Sequence, residues 1–203
     1  MPNLKNIKIA IGIDSLPLAK SSNSQLWPIL AFIVDETKIV FTVGVYHGNA
    51  KPKDSNDFMA DFISETKDLL ANGINIDGSI KKVSIYVFVC DAPAKAFILK
   101  IKGHSGFYSC TRCTQEGEYF KNRVCFPYSK DKSGERTHEG YLKKLNEEHH
   151  VGNTLSSPCE ITRNTFNPNI LIRLHAFSLS WNCSKTNSPL FKQRTFTNSF
   201  TKL

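Results

Sequence analysis

The chain has 203 residues, 40% hydrophobic, 22% charged and 11% aromatic, the make-up of a globular protein with room for one core and a small appended module. No stretch approaches the roughly 20 apolar residues of a membrane span, and the first residues lack the separate apolar core of a secretory leader, so no membrane partner and an intracellular location are expected. There the six cysteines are read as thiols or metal ligands rather than disulfides, and the net charge of +8, concentrated in residues 151–203, favours a polyanionic partner only weakly.

Residues 7–13 read as a strand, with Ile7, Ile9, Ile11 and Ile13 on one face. The strand ends at Asp14, and Ser15-Leu16-Pro17 and Ser21-Ser-Asn-Ser24 follow as a polar turn or loop. Residues 27–34 and 38–46 are two further strands, joined by a turn at Asp35-Glu-Thr37. The three together make a meander. The period then changes to that of a helix, with Asp54 or Ser55 as its cap, Phe58, Phe62, Ile63, Thr66, Leu69 and Leu70 on its apolar face, and Gly73 as its stop. A short hinge over 75–78 leads into residues 82–90, an apolar run suited to a central strand buried on both faces. It ends at Asp91, and Pro93 opens a helix through about Lys100.

From residue 103 to 128 the chain is irregular and rich in Gly, Cys and Tyr, and a short helix is expected within 139–148. Beyond Asn153 periodicity fades, and the Asn/Ser/Thr-rich end is read as poorly ordered. Three segments result: residues 1–102, an α/β core with a mixed sheet and flanking helices; 103–158, a Cys/His-rich insert; and 159–203, a basic tail.

Asp14 and Asp91 carry the most suggestive chemistry, since each directly follows an apolar strand and so stands at the sheet's carboxyl edge. With the first and fourth strands adjacent and parallel, the two carboxylates would suit a hard divalent cation, Mg²⁺ or Mn²⁺. Such ions clamp the attacking and leaving oxygens of a phosphodiester during displacement. The plainer alternative is that Asp14 braces the following turn and Asp91 caps the following helix. An unrelated metal-dependent hydrolase would need a third acid from Asp54, Asp57 or Asp61, on a helix that precedes the second acid.

Cys110-Thr-Arg-Cys113 is a Cys-x2-Cys knuckle, and Cys125 follows. Thiolate and imidazole donors at this spacing suit a tetrahedral structural Zn²⁺. His104 is the first candidate for the fourth ligand, with His138, His149 and His150 as others. A redox pair or buried free thiols are the alternatives, and exposure is the default expectation for His149-His150. Cys90 is read as a small core residue, and Cys159 and Cys183 are given no role. Lys95, Lys102 and Arg112, near the second acid, are candidates for holding nucleic-acid phosphates.

Several segments together resemble a known group. Ile11-Gly-Ile-Asp14-Ser-Leu-Pro-Leu18, Ser21-Ser-Asn-Ser-Gln-Leu-Trp-Pro-Ile-Leu30, Val45-Tyr-His-Gly48 and Cys90-Asp-Ala-Pro-Ala-Lys95 are similar to segments of transposase-related proteins scattered through animal genomes. So are Lys102-Gly-His-Ser-Gly-Phe-Tyr-Ser-Cys-Thr-Arg-Cys113, Asn122-Arg-Val-Cys-Phe-Pro127 and Glu147-Glu-His-His150. These proteins are distantly similar to CACTA-type transposases, and the resemblance covers roughly residues 7–158. It implies a ribonuclease-H-like core cutting and joining DNA, with Asp14 and Asp91 as the first two Mg²⁺ or Mn²⁺ ligands. It also implies a small zinc-knuckle-like insert after the second acid, and a nuclear location if the protein acts on DNA. The group's next segment, Pro-Leu-Asp-x-Met-His-Leu, does not follow, nor does the helical region expected to supply the third acid. After Pro168 the chain changes character, as a frameshift or early stop would produce, so an incomplete ribonuclease-H-like fold without catalysis is expected. A non-catalytic, zinc-containing module binding nucleic acid or protein is the alternative.

Overall fold

The computed structural model describes residues 6–34, 39–128 and 133–162. Alternating isoleucines make Asn6–Ile13 the first strand, β1. After it come β2 (Leu16–Pro17), β3 (Gln25–Ile33) and β4 (Phe41–Gly48). The three longer strands form the expected antiparallel meander, with Ile11 opposite Ala31 and Pro28 opposite Val45. The turn read at Asp35-Glu-Thr37 lies outside the described residues.

Leu16 and Pro17, expected in a turn, instead extend the sheet. Leu16 pairs with Leu26 and Pro17 with Gln25, while β1 occupies β3 from Ile29 to Ile33. The proline is tolerated because a two-residue strand at a sheet margin can spare the N–H it lacks. Asp14 and Ser15 therefore fill a break between two segments that lie along the same strand.

Asp54 accepts from the Asn56 N–H at 2.7 Å and caps α1, Ser55–Asn72. Met59, Phe62, Ile63 and Thr66 form its buried side. The helix stops at Gly73, whose φ of 71° suits glycine and where a Cβ would collide with the Lys81 carbonyl. The expected hinge is a hairpin. β5 (Ile74–Ile76) pairs antiparallel with the start of β6 (Ser79–Cys90) across Asp77 and Gly78. Both turn residues have positive φ, 50° and 77°, the geometry for which an Asp-Gly pair is suited.

β6 runs parallel to β1 and completes a mixed sheet in which β4, β3, β1, β6 and β5 lie side by side. Its register shifts once: Ile9 faces Ile85, but Ala10 faces Val87, so Tyr86 is the extra residue of a bulge. The bulge lets Ile85 and Phe88 both join Ile11 and Ile13 on the face covered by the helices. Asp91 then caps α2, Ala92–Leu99. On that face Trp27, Ile29, Met59, Phe62, Ile63, Ala94 and Ile98 make one core, with Trp27 edge-on to Phe97 at 5.1 Å. Cys90 belongs to it, as expected. Among the described residues no helix is long and apolar enough to cross a membrane.

The Cys-rich region docks on the far end of α2. It holds a two-stranded hairpin, β7 (Glu118–Phe120) with β8 (Arg123–Cys125), and a short helix, α3 (His138–Leu142). Tyr141 and Cys159 pack with Leu99 and Ile101 in a satellite core, and the Tyr141 hydroxyl donates to the Leu99 carbonyl at 2.5 Å. Two backbone bonds stitch the same junction: Lys102 N–H to His149 O and Val151 N–H to Lys100 O, both 2.8 Å.

Residues 154–162 then strap back across α1 and α2. Asn56 donates to the Leu155 carbonyl and accepts from the Ser157 N–H, and the Lys100 ammonium donates to Asp54 and Thr154. Ile161 reaches the main core. The boundary read at 158/159 is thus too early, because Cys159 and Ile161 are core residues that the fading periodicity concealed. The rest of the tail, residues 163–203, lies outside the described residues.

The fully buried Ser156 hydroxyl donates to the Ile98 carbonyl at 2.7 Å. Ser156→Ala is expected to lower stability by about 1–2 kcal/mol, because the carbonyl loses its buried partner. Chemical denaturation of both chains checks this, and an unchanged midpoint would mean that the strap contributes nothing to global stability.

Candidate functional site

Ile13 and Cys90 are the last partners of the parallel β1–β6 ladder. Asp14 and Asp91 are the next residue on each strand, so the two acids stand side by side across a spacing of about 4.8 Å between strands. Both are exposed at the sheet's carboxyl edge. Asp14 Oδ1 accepts from the Ser15 N–H at 2.7 Å, and Asp91 Oδ1 accepts from the Ala94 N–H at 2.7 Å. The bracing roles and the metal reading are therefore compatible, since they use different oxygens. Each Oδ2 is without a hydrogen bond among the described residues. Partial burial raises the Asp14 pKa; the Ser15 N–H opposes that, and the neighbouring Asp91 carboxylate adds to it. Two like charges in this position favour a bound cation.

No third acid joins them among the described residues. Among the described residues no group of three or more His, Cys, Asp or Glu side chains is gathered where it could hold a metal ion. Asp54 is engaged by Lys100 at 2.7 Å, and this hydrogen bond holds its carboxyl below the usual range. Asp57 and Asp61 are exposed along α1. The donor set nevertheless suits Mg²⁺ or Mn²⁺, which take oxygen ligands and fill much of their coordination shell with water or substrate phosphate.

The knuckle brings two sulfurs together: Cys110 Sγ and Cys113 Sγ are 3.3 Å apart. Arg136 supports the loop, with Nε donating to the Cys110 carbonyl at 2.8 Å and its own N–H donating to the Arg112 carbonyl at 2.9 Å. Its Nη2 is buried without a hydrogen-bond partner. Burial would push the Cys113 thiol up, but the Gln115 N–H, the Cys110 and Ser133 side chains and the Arg136 charge together leave its pKa lowered. Cysteine sulfurs suit a soft cation better than a hard one, and the lowered Cys113 pKa favours the form that binds metal. Cys125 lies on β8 and His104 on an exposed turn, and neither completes a group of three with the pair.

His149 and His150 are buried, contrary to the expectation of solvent exposure. The acidic neighbours Glu147 and Glu148 suggested a wet segment, but the imidazoles turn inward, toward Tyr108 and Tyr141. His149 Nδ1 donates to the Tyr108 carbonyl at 2.6 Å, which leaves Nε2 unprotonated in the neutral ring. His150 packs against Tyr141 with ring centroids 4.8 Å apart.

Lys95 sits one turn along α2 from Asp91, and its ammonium donates to Thr111 Oγ1, inside the knuckle, at 3.1 Å. It lacks a carboxylate partner among the described residues. Arg112 and Lys102 are exposed nearby in sequence. The contact joins the acid pair's helix to the cysteine loop, so two sites read separately in sequence are neighbours. Arg136 and Thr111 were missed by sequence reading; no local pattern marks an arginine more than twenty residues from the thiols it supports.

Burial lowers the His149 pKa to about 4. An unfolded histidine titrates near 6.5, so the native state binds fewer protons in this range. Stability from this group is complete above about pH 6.5 and is lost as pH falls toward 4. His149→Asn keeps an N–H donor near the Tyr108 carbonyl and removes the titration, and it should flatten the fall in Tm between these pH values. An unchanged profile would assign the acid sensitivity to other groups. No protein-family profile, curated protein or solved structure matches the chain.

Proposed function

We propose that this chain carries the first part of a ribonuclease-H-like, transposase-derived DNA strand-cleaving and strand-joining domain. The observation that carries the reading is the β1–β6 register, in which Asp14 and Asp91 follow paired residues at one sheet edge. An antiparallel meander joined through its first strand to a parallel fourth strand supports the ribonuclease-H-like assignment. Asp14 and Asp91 would hold Mg²⁺ or Mn²⁺ through their Oδ2 atoms while Oδ1 stays on the backbone. The bound cation would supply charge stabilisation at the reacting phosphodiester. Lys95, Lys102 and Arg112 would contact DNA phosphates, and a DNA substrate implies a nuclear location. Two acids without a third fix the ions poorly, so strand cleavage by this chain alone is not expected.

The 3.3 Å sulfur pair favours a second reading, a zinc-stabilised module that binds nucleic acid or protein without catalysis. In it Cys110 and Cys113 would hold Zn²⁺, and Cys125 with one of His104, His149 and His150 would have to close in to complete the tetrahedron.

Calorimetric titration with MnCl2 tests the first reading. Binding is expected for the unmodified chain and should be lost in Asp14→Asn/Asp91→Asn, while supercoiled plasmid stays unnicked in both. Equal Mn²⁺ binding by the double variant would remove the acid pair as a metal site. Elemental analysis tests the second reading: about one zinc per chain, lost in Cys110→Ser/Cys113→Ser, is its expected result, and a zinc-free, fully folded chain would exclude it.

A further inference from the structure

β7 is exposed along its whole length. Tyr119 is 65% exposed and Phe120 59%, and Tyr128, just past the hairpin, is 92% exposed. None of these rings belongs to either core. Cross-strand pairing accounts for part of the pattern, since Tyr119 faces Val124 and Phe120 faces Arg123. Pairing alone does not require rings that keep more than half their surface in water, and exposed aromatic rings beside positive charge suit contact with a flat, anionic partner.

The hairpin is also held in a defined shape. Its turn residues, Lys121 and Asn122, have φ of 47° and 62°, the two-residue turn that matches strand twist. Its base is braced by Gly117 N–H donating to the Phe107 carbonyl at 2.7 Å and by Gln115 donating to the Pro127 carbonyl. The rings are therefore presented on a fixed ribbon, Tyr119 on one face and Phe120 on the other, as consecutive strand residues must be.

Cations accompany the rings. Lys121 Nζ lies 5.2 Å from the Phe120 ring centroid, and Arg123 stands across the ladder from the same ring. Glu118 is the one acid on the two strands. Flat apolar faces with positive charge at their margin match a partner that is planar and apolar in its bases and anionic in its backbone. A duplex hides its base faces, whereas an unpaired strand offers them. We propose that the β7–β8 hairpin stacks unpaired bases of a single-stranded nucleic acid, with Phe120 as the platform on the face where Lys121 and Arg123 neutralise the flanking phosphates and Tyr119 as a second platform on the opposite face. The proposal rests on the reading above for its choice of a nucleic-acid partner, but needs neither Asp14, Asp91 nor a metal.

Fluorescence anisotropy with the full chain, in EDTA, and a labelled oligo(dT) of about 15 nucleotides tests it, a length that matches the upper range of a single binding module. Oligo(dT) should bind at least about tenfold more tightly than a duplex of the same length. Tyr119→Leu/Phe120→Leu keeps apolar bulk but removes the π faces, and should weaken binding about tenfold or more. Tyr119→Trp/Phe120→Trp should retain it, which separates stacking from any change in folding. Asp14→Asn/Asp91→Asn should bind oligo(dT) as the unmodified chain does. Equal affinity in the Leu and unmodified chains overturns the proposal even if Mn²⁺ still binds the acid pair. Preference for duplex, or a concentration-dependent dimer that the Leu substitutions abolish, also overturns it, the latter by assigning the surface to a second copy. Leu-sensitive oligo(dT) binding in a chain that fails to bind Mn²⁺ supports the hairpin and removes the acid-pair reading alone.

Discussion

Tyr86 takes no partner on β1, and both the packing and the acid pair follow from that single unpaired residue. Extending the register set by Ile9 and Ile85 without it would put Ile13 beside Val89 and Asp14 beside Cys90. β6 would then send Val87 and Val89 toward the helices in place of Phe88 and Cys90. With the bulge, Phe88 meets Phe62 edge-on at 6.3 Å and Cys90 joins the core. Asp91 comes into step with Asp14 through the same shift. Core and acid pair depend on one register, so a change that removes the bulge disturbs both.

The second organising element is the far end of α2. Lys100 closes the helix with φ 52°, a left-handed conformation that costs a side-chain-bearing residue some strain. Its carbonyl accepts from Val151 and its ammonium reaches Asp54 and Thr154. These contacts offset that strain and join α1, α2 and the strap at one residue. At the other end of the helix, Lys95 reaches Thr111. α2 thus connects the acid pair, the cysteine loop and the strap, although its own length is only eight residues.

Much of this was legible from sequence where a local rule applied. The alternating isoleucines of β1, the Asp54 cap, the Gly73 stop and the Asp91-Ala-Pro93 helix start depend on neighbours a few residues away. The β6 bulge was not legible, because a continuous apolar run carries no alternation from which a slipped residue could be seen. Asp77-Gly78 was legible but read as a hinge, since the flanking Asn75 and Ser79 blur the short strands. Within the site, the position of each acid at a strand end and the close sulfur pair follow from local spacing, whereas the step that sets Asp91 beside Asp14 depends on the bulge. The burial of His149 and His150 does not, because it depends on Tyr108 and Tyr141 arriving from elsewhere, and the same holds for Arg136 behind the thiols. Cys159 and Ile161 were hidden for the same reason: a strap of irregular backbone packs without a period.

The strap also bears on how the chain is made. Its hydrogen bonds to Asn56 and its ion pair from Glu160 to Lys67 span 93 to 101 residues of sequence. Contacts that distant form late and, together with the parallel β1–β6 pairing, slow folding. On a ribosome, the sheet and both helices emerge well before Ser156 and Ile161. Until those residues follow, the groove between α1 and α2 is open and its apolar side chains are available to chaperones or to other nascent chains. Synthesis of the first hundred residues therefore yields a platform awaiting its last turn.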